Sequence, residues 1–178
     1  LISKNYPGHI MFTLEDELER EMLWGDFLKA AIVALSRKYE LRRGIKGVIE
    51  GTLPVGGLSS SAAVILTYLN AVCIANDIQI TRPEIISNAI WAERNYIGVN
   101  VGKLDQSCEV YCRKNGLLFL DTLDDSNEII PVSSNMKPFE IMIVFGGKER
   151  QLAGSAYNTR VDECKAAAYA LQAYARSE

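Results

Sequence analysis

Apolar and polar positions recur with two different periods along this chain. Between residues 15 and 39 the apolar positions Leu18, Met22, Phe27, Ala31, Leu35 and Tyr39 follow helical spacing. Acidic residues gather early in that stretch and basic ones late, as a helix dipole favours. The pattern predicts a helix over 15–39, with Gly25 as the place for a break or kink. Residues 45–51, IKGVIEG, alternate as a strand does. Residues 60–76, SSAAVILTYLNAVCIAN, are apolar on almost every face and predict a buried helix. Thr81-Arg82-Pro83-Glu84 combines an N-cap threonine, a first-turn proline and a glutamate three residues on. It starts a helix expected to run to about Tyr96. Gly98 and Gly102 bracket a loop, and 103–114 predicts a further short helix. Residues 116–122 and 139–146 read as buried strands, 123–128 as a polar turn, 129–132 as a short strand and 155–176 as a last helix. Helices and strands mix without a regular βαβ rhythm, so an α+β fold is expected rather than a doubly wound one. Repeats, low-complexity tracts and domain linkers are not evident.

Composition narrows the class. The 178 residues suit one domain, or a small domain with an extension, and 48% hydrophobic against 23% charged content is enough for a packed core. A net charge of -3 and a pI near 5.3 argue against general nucleic-acid or anionic-membrane binding. They leave room for a local site for a small anion. The four cysteines form no CxxC pair, only Cys108 and Cys112 are near each other, and His9 is the single histidine. That pattern excludes a zinc framework and a disulfide scaffold and fits a reducing, cytoplasmic setting. The chain opens at Leu1 and closes within an Ala-rich helical pattern, which reads as part of a longer protein.

The candidate chemistry starts at residues 52–64, TLPVGGLSSSAAV. A predicted strand enters this run and a predicted helix leaves it. Glycines there allow a tight turn and close approach to a ligand. The unpaired N–H groups of a helix start favour an anion, and serine hydroxyls suit phosphate oxygens or Mg²⁺. The run matches neither GxxxxGK[ST] nor GxGxxG. The plainer alternative is a glycine-containing turn followed by a serine N-cap. A flexible linker is disfavoured by the apolar elements on both sides.

Downstream, WAERNYIGVNVGKLDQ places Glu93 near a helix end and Asp105 beyond a glycine-containing loop. Two carboxylates so arranged can converge, one to bind Mg²⁺ through oxygen and one to orient or deprotonate a hydroxyl. Phosphoryl transfer asks mainly for positioning and charge neutralisation. Taken singly, each carboxylate is more commonly surface charge or a helix cap.

Together these runs resemble the GHMP small-molecule kinases. LPVGGLSSSAAV resembles their nucleotide-binding motif, closest to the galactokinase branch in its triple serine and one residue shorter between proline and leucine. The resemblance implies a GHMP-kinase N-terminal α+β domain, ribosomal protein S5 domain 2-like, with a mixed sheet packed by helices. It implies ATP held by Pro54, Gly56, Gly57, Leu58, Ser59, Ser60, Ser61 and Ala62, with Mg²⁺ on Ser61 and Glu93. It further implies Asp105 as the catalytic aspartate at the sugar anomeric hydroxyl, and Gly102 and Tyr157 beside Asp105 as sugar contacts. Lys103 departs from the galactokinase pattern and is either a substrate contact or a solvated side chain. Gly102-Lys103-Leu104-Asp105-Gln106-Ser107, Arg150-Gln151-Leu152 and Tyr157-Asn158-Thr159-Arg160-Val161-Asp162-Glu163-Cys164 are similar to plant-type galacturonate kinases. A uronate carboxylate would suit Lys103 or Arg150.

The expected activity is ATP-dependent phosphorylation of a monosaccharide at C1, on galactose or galacturonate. The expected organisation is an ATP-binding domain fragment over 1–150 and the start of a C-terminal domain or linking helix over 151–178. A monomer is expected, with a dimer as the alternative. The family's N-terminal arginine motif and C-terminal glycine-rich motif are not present in these residues, which implies that the stretch alone lacks part of the machinery. A non-catalytic, galactokinase-like sugar sensor is the rival from another class. Mevalonate-type or homoserine-type kinases are disfavoured by the SSS run and the Asp-Gln pair.

Overall fold

The computed structural model describes residues 1–52, 58–137, 139–144 and 156–177. The elements in order are β1 (Ile2–Ser3), α1 (Asp26–Ser36), β2 (Val48–Ile49), α2 (Ser60–Ala75), α3 (Arg82–Trp91), a π-helical turn (Ala92–Ile97), α4 (Leu104–Tyr111), β3 (Gly116–Leu120), β4 (Asn127–Pro131) and α5 (Tyr157–Ser177). The fold is α+β, as the sequence predicts. Among the described residues the strands form two separate pairs, β1 with β2 in parallel and β3 with β4 antiparallel, with Leu118 opposite Ile129.

The core is helical. Leu28, Ala31 and Leu35 of α1 meet Ile65, Leu69 and Val72 of α2, and Ile85, Ala89 and Ala92 close the cluster from α3 and the π turn. Helix α2 is apolar all round, which suits an element covered on several sides. It ends at Asn76, whose amide donates to the carbonyls of Val72 and Arg43, both at 2.9 Å. Its oxygen accepts the N–H groups of Arg42 at 2.7 Å and Arg43 at 2.9 Å. One side chain therefore both stops α2 and fastens the segment that leads into β2. Helix α3 begins as its sequence signal predicts, with the Thr81 hydroxyl accepting from the Glu84 N–H at 3.4 Å and proline in the first turn.

Three expectations are corrected. The helix predicted over 15–39 starts only at Asp26. The Asp26 carboxylate accepts N–H groups from Glu21 and Met22, at 3.0 and 2.7 Å, so the preceding chain turns back instead of propagating the helix. Five acids in seven residues, Glu15, Asp16, Glu17, Glu19 and Glu21, with Arg20 as the one base among them, leave that segment mostly like-charged neighbours at helical spacing. Residues 139–144 form no strand, although 139–146 reads as one. Among the described residues nothing pairs with them, and Ile141, Met142 and Val144 are 81, 85 and 74% exposed. Strand β3 exists but is only half covered, with Leu117 and Phe119 more than half exposed. In addition β1 forms at Ile2–Ser3, where the sequence pattern predicts no element, and the helix predicted to Tyr96 changes from α to π geometry after Trp91.

Candidate active site

The site is assembled where α2 begins, where α3 turns into the π segment and where α4 begins. Ser59 occupies the N-cap position of α2 in the left-handed region, φ 57° and ψ 27°. A non-glycine residue rarely adopts this conformation, and when it does the position is worth a functional look. Its side chain makes no capping bond to the helix, so the plain serine-cap alternative is not what the geometry holds. The first-turn N–H groups of an α-helix have no partner within the helix, and here they point from Ser60, Ser61 and Ala62. The Ala62 side chain itself is in the core, so only its backbone faces a ligand. Leu58 is partly exposed at the mouth of the turn. Pro54, Gly56 and Gly57 lie outside the described residues, as do Arg150, Gln151 and Leu152 and the expected boundary at 150/151.

Glu93 sits in the first turn of the π segment and is 2% exposed. The Gln106 side-chain amide from α4 donates to its carboxylate, and the Ser61 side chain at the start of α2 stands on the same group. Burial raises the Glu93 carboxyl above the ordinary carboxylate range, Ser61 and Gln106 pull it back, and the charge of Asp105 adds to the rise. Gln106 is 1% exposed, and its Oε1 has no hydrogen-bond partner. A buried acceptor left open in this way costs free energy until something donates to it. Asp105, by contrast, lies on the exposed side of α4. One turn on, Glu109 keeps an exposed surface, yet partial burial, then the charges of Asp105 and Glu93, push it up to about 7. The structure thus brings Ser61, Glu93 and Asp105 to one place and adds Gln106 and Glu109, to which sequence reasoning assigns no role. The available signal was an amide on the inward face of α4, at helical spacing from Val110.

The loop between the π turn and α4 is tied down at several points. The Glu93 carbonyl accepts the N–H groups of Gly98 and of Val99, the latter at 2.9 Å. Gly98 has φ 80°, which is why glycine stands there. The Arg94 guanidinium donates twice to the Val101 carbonyl, at 2.8 and 2.6 Å. A Cβ built on Gly102 would meet nothing within 4 Å, so this backbone is open to approach. Tyr157, at the foot of α5, packs against the core cluster, and its neighbour Asn158 bonds to the 98–100 backbone. Lys103 is neither free nor merely solvated, since it pairs with Asp125 of the β3–β4 turn. Arg160 pairs with Glu163 on its own helix. His9 is exposed, in a bridge to Ile2.

The donor set fits a magnesium ion. Ser61 and Glu93 offer adjacent oxygens, and Mg²⁺ ordinarily takes one or two carboxylates and completes its shell with phosphate and water. Among the described residues no cluster of three or more His, Cys, Asp or Glu is placed to hold a metal without such help. No helix among the described residues is long and apolar enough to cross a membrane.

Residues 26–113 match the family model described as GHMP kinases N terminal domain. A galacturonokinase of Arabidopsis thaliana is 35% identical over 157 residues, covering 86% of this chain and 37% of that protein. A galactokinase of Lactobacillus helveticus is 33% identical over 180 residues, covering 97% of this chain and 45% of that protein. The crystal structure of Lactococcus lactis galactokinase complexed with galactose superposes with a TM-score of 0.87 at 32% identity, covering 97% of this chain and 45% of that one. The chain therefore spans less than half the length of these relatives.

Proposed function

Since the chain belongs to the GHMP kinase N-terminal domain family, we propose that the protein containing it is an ATP-dependent sugar kinase that phosphorylates a monosaccharide at its C1 hydroxyl and releases ADP. The observation that carries this reading is the buried Glu93 carboxylate, which accepts from Gln106, the neighbour of Asp105, and takes the influence of Ser61 at the start of α2. That placement sets the proposed phosphate end of the site beside the proposed sugar end. The Ser60–Ala62 backbone, with the glycine-rich run Pro54–Leu58 ahead of it in sequence, binds the nucleotide phosphates through N–H groups. Ser61 and Glu93 hold Mg²⁺, which when bound neutralises phosphate charge. Asp105, more exposed and not buried like Glu93, accepts a hydrogen bond from the attacking hydroxyl and takes its proton. Gly102 and Tyr157 line the sugar. Residues 1–150 then belong to the ATP-binding domain and 151–178 to the start of the following domain or a linking helix. A cytoplasmic, monomeric protein fits this reading.

The test is a coupled ADP-release assay on the full-length protein with a panel of sugars. Turnover with galactose or galacturonate supports the proposal. Saturable sugar binding without turnover supports the sensor alternative. Galacturonate is the finer proposal, supported by Lys103, whose exposed partner Asp125 a substrate carboxylate would replace. A clear advantage of galactose in kcat/KM refutes that choice.

A further inference from the structure

The segment Gly98–Val101 joins the π turn to Gly102 and α4, and it has few bonds of its own: within it the Val101 N–H donates to the Val99 carbonyl at 2.8 Å. It is gripped from outside on two sides. On one side stand Glu93 and Arg94, as described. On the other, the Asn158 carboxamide accepts from the Asn100 N–H at 2.8 Å and donates to the Gly98 carbonyl at 2.8 Å. A side-chain amide here copies the two-point pairing that a neighbouring strand would supply. Asn158 lies 60 residues from Gly98 in sequence, so this contact couples distant parts of the chain, and it lies next to Tyr157. Val99 and Val101 are buried in the core cluster, 4 and 7% exposed, whereas Gly98 and Asn100 face outward. The outward edge is therefore the part that depends on Asn158.

We propose that Asn158 is a positioning residue: its carboxamide fastens the outward edge of the Gly98–Val101 strap to the foot of α5, which fixes Gly102 and Asp105 relative to Tyr157. The two segments that would face the sugar are then tied at one spacing by this amide, beside the packing of Tyr157 against the core cluster. The nucleotide turn at Ser59–Ser61 has no part in this clamp. The effect of the clamp on the sugar rests on the sugar-kinase reading, while the clamp itself does not.

Two variants of the full-length protein test it, Asn158→Ala, which removes both bonds, and Asn158→Asp, which keeps the acceptor for Asn100 but loses the donor to Gly98. In amide-resolved hydrogen exchange, the Asn100 N–H is expected to lose protection in Asn158→Ala and to keep it in Asn158→Asp. The Val99 N–H, bonded to Glu93, is expected to stay protected in both. In steady-state kinetics with galactose and galacturonate, Asn158→Ala is expected to raise KM for the sugar at least about tenfold and to leave KM for ATP within about twofold, because only sugar-side geometry is disturbed. Unchanged exchange at Asn100 in Asn158→Ala overturns the proposal. So does a parallel rise in both KM values, or a lower Tm with sugar KM unaltered, which would mark a merely structural contact. If the wild-type protein phosphorylates no sugar, the functional reading fails, and the exchange result at Asn100 alone decides whether the clamp exists.

Discussion

Replacing Glu93 by Gln should make the ligand-free protein more stable while removing its activity. The Glu93 carboxylate is 2% exposed, and among the described residues the Gln106 amide is its hydrogen-bond donor. An ionised carboxylate out of water costs several kcal/mol, and a hydrogen bond to a charged group returns about 1.5–3 kcal/mol, so a net cost remains. The amide has almost the same shape, carries no charge and brings an N–H₂ close to the open Gln106 Oε1. A net gain of about 1–2 kcal/mol follows, which in a chain of this size is a Tm rise of about 2–8 °C. The sign with pH is fixed by the raised Glu93 pKa. In the wild type the carboxyl's contribution is fully present below the unfolded carboxylate pKa and is lost as pH rises through the higher folded one. The gain from the substitution should therefore be smallest below the unfolded carboxylate pKa, grow as pH rises above it and level off above the raised folded one. Thermal unfolding followed by tryptophan fluorescence measures this, because Trp91 is two residues before Glu93 and has the Arg37 guanidinium over its ring at 4.2 Å. A Tm that falls at pH 8, or a difference independent of pH, refutes the reasoning that Glu93 is held charged against its surroundings for the sake of a ligand.

Two further outcomes follow from the same geometry. Asp105→Asn in the full-length protein should lower kcat by about two to four orders of magnitude, the usual worth of a positioned proton acceptor, with Tm almost unchanged because the side chain is exposed; near-normal turnover would remove Asp105 from the mechanism. Gly116→Ala should lower Tm, since a Cβ there would stand 2.6 Å from Ile129 Cγ2 across the β3–β4 pair. Ile129 is branched at Cβ, which makes χ1 stiff and keeps the Cγ2 methyl from swinging aside, so about 1–3 kcal/mol is expected, and an unchanged melting curve would show that the strand pair yields.

Legibility differed by element for physical reasons. Helices α2 and α3 were readable because their information is local: continuous apolar faces in one, and the Thr81 cap with Pro83 in the other. The start of α1 was misread because Leu18 and Met22 keep helical spacing, while the decision lies with Asp26, which captures N–H groups from the preceding turn. The run 139–144 was misread because apolar composition describes a strand's faces and says nothing of whether an edge is available to pair with. β1 is too short to have a period. At the site, Ser61, Glu93 and Asp105 stood out by motif. Gln106, Arg94 and Asn158 did not, because what they bind is a buried carboxylate or a backbone group contributed by another part of the chain, and a sequence does not display such partners.

The π turn at Ala92–Ile97 carries a consequence for how this chain can vary in length. Its wider winding takes up one more residue per hydrogen-bonded turn than an α-helix does. Deleting a single residue there, Asn95 for instance, would let the rod close into an ordinary helix with an unbroken ladder and an intact N-terminal half. Because the wider turn absorbs that residue within itself, the chain beyond would keep nearly the same phase, and the change would fall on the turn. The Glu93 carbonyl, which accepts from Gly98 and Val99, and the Arg94 grip on Val101 are what such a deletion would disturb. Loss of one residue between 92 and 97 should therefore spare the packing of α3 and α4 and cost the site: what the extra residue sets is where Glu93 and Arg94 stand, not the course of the rod.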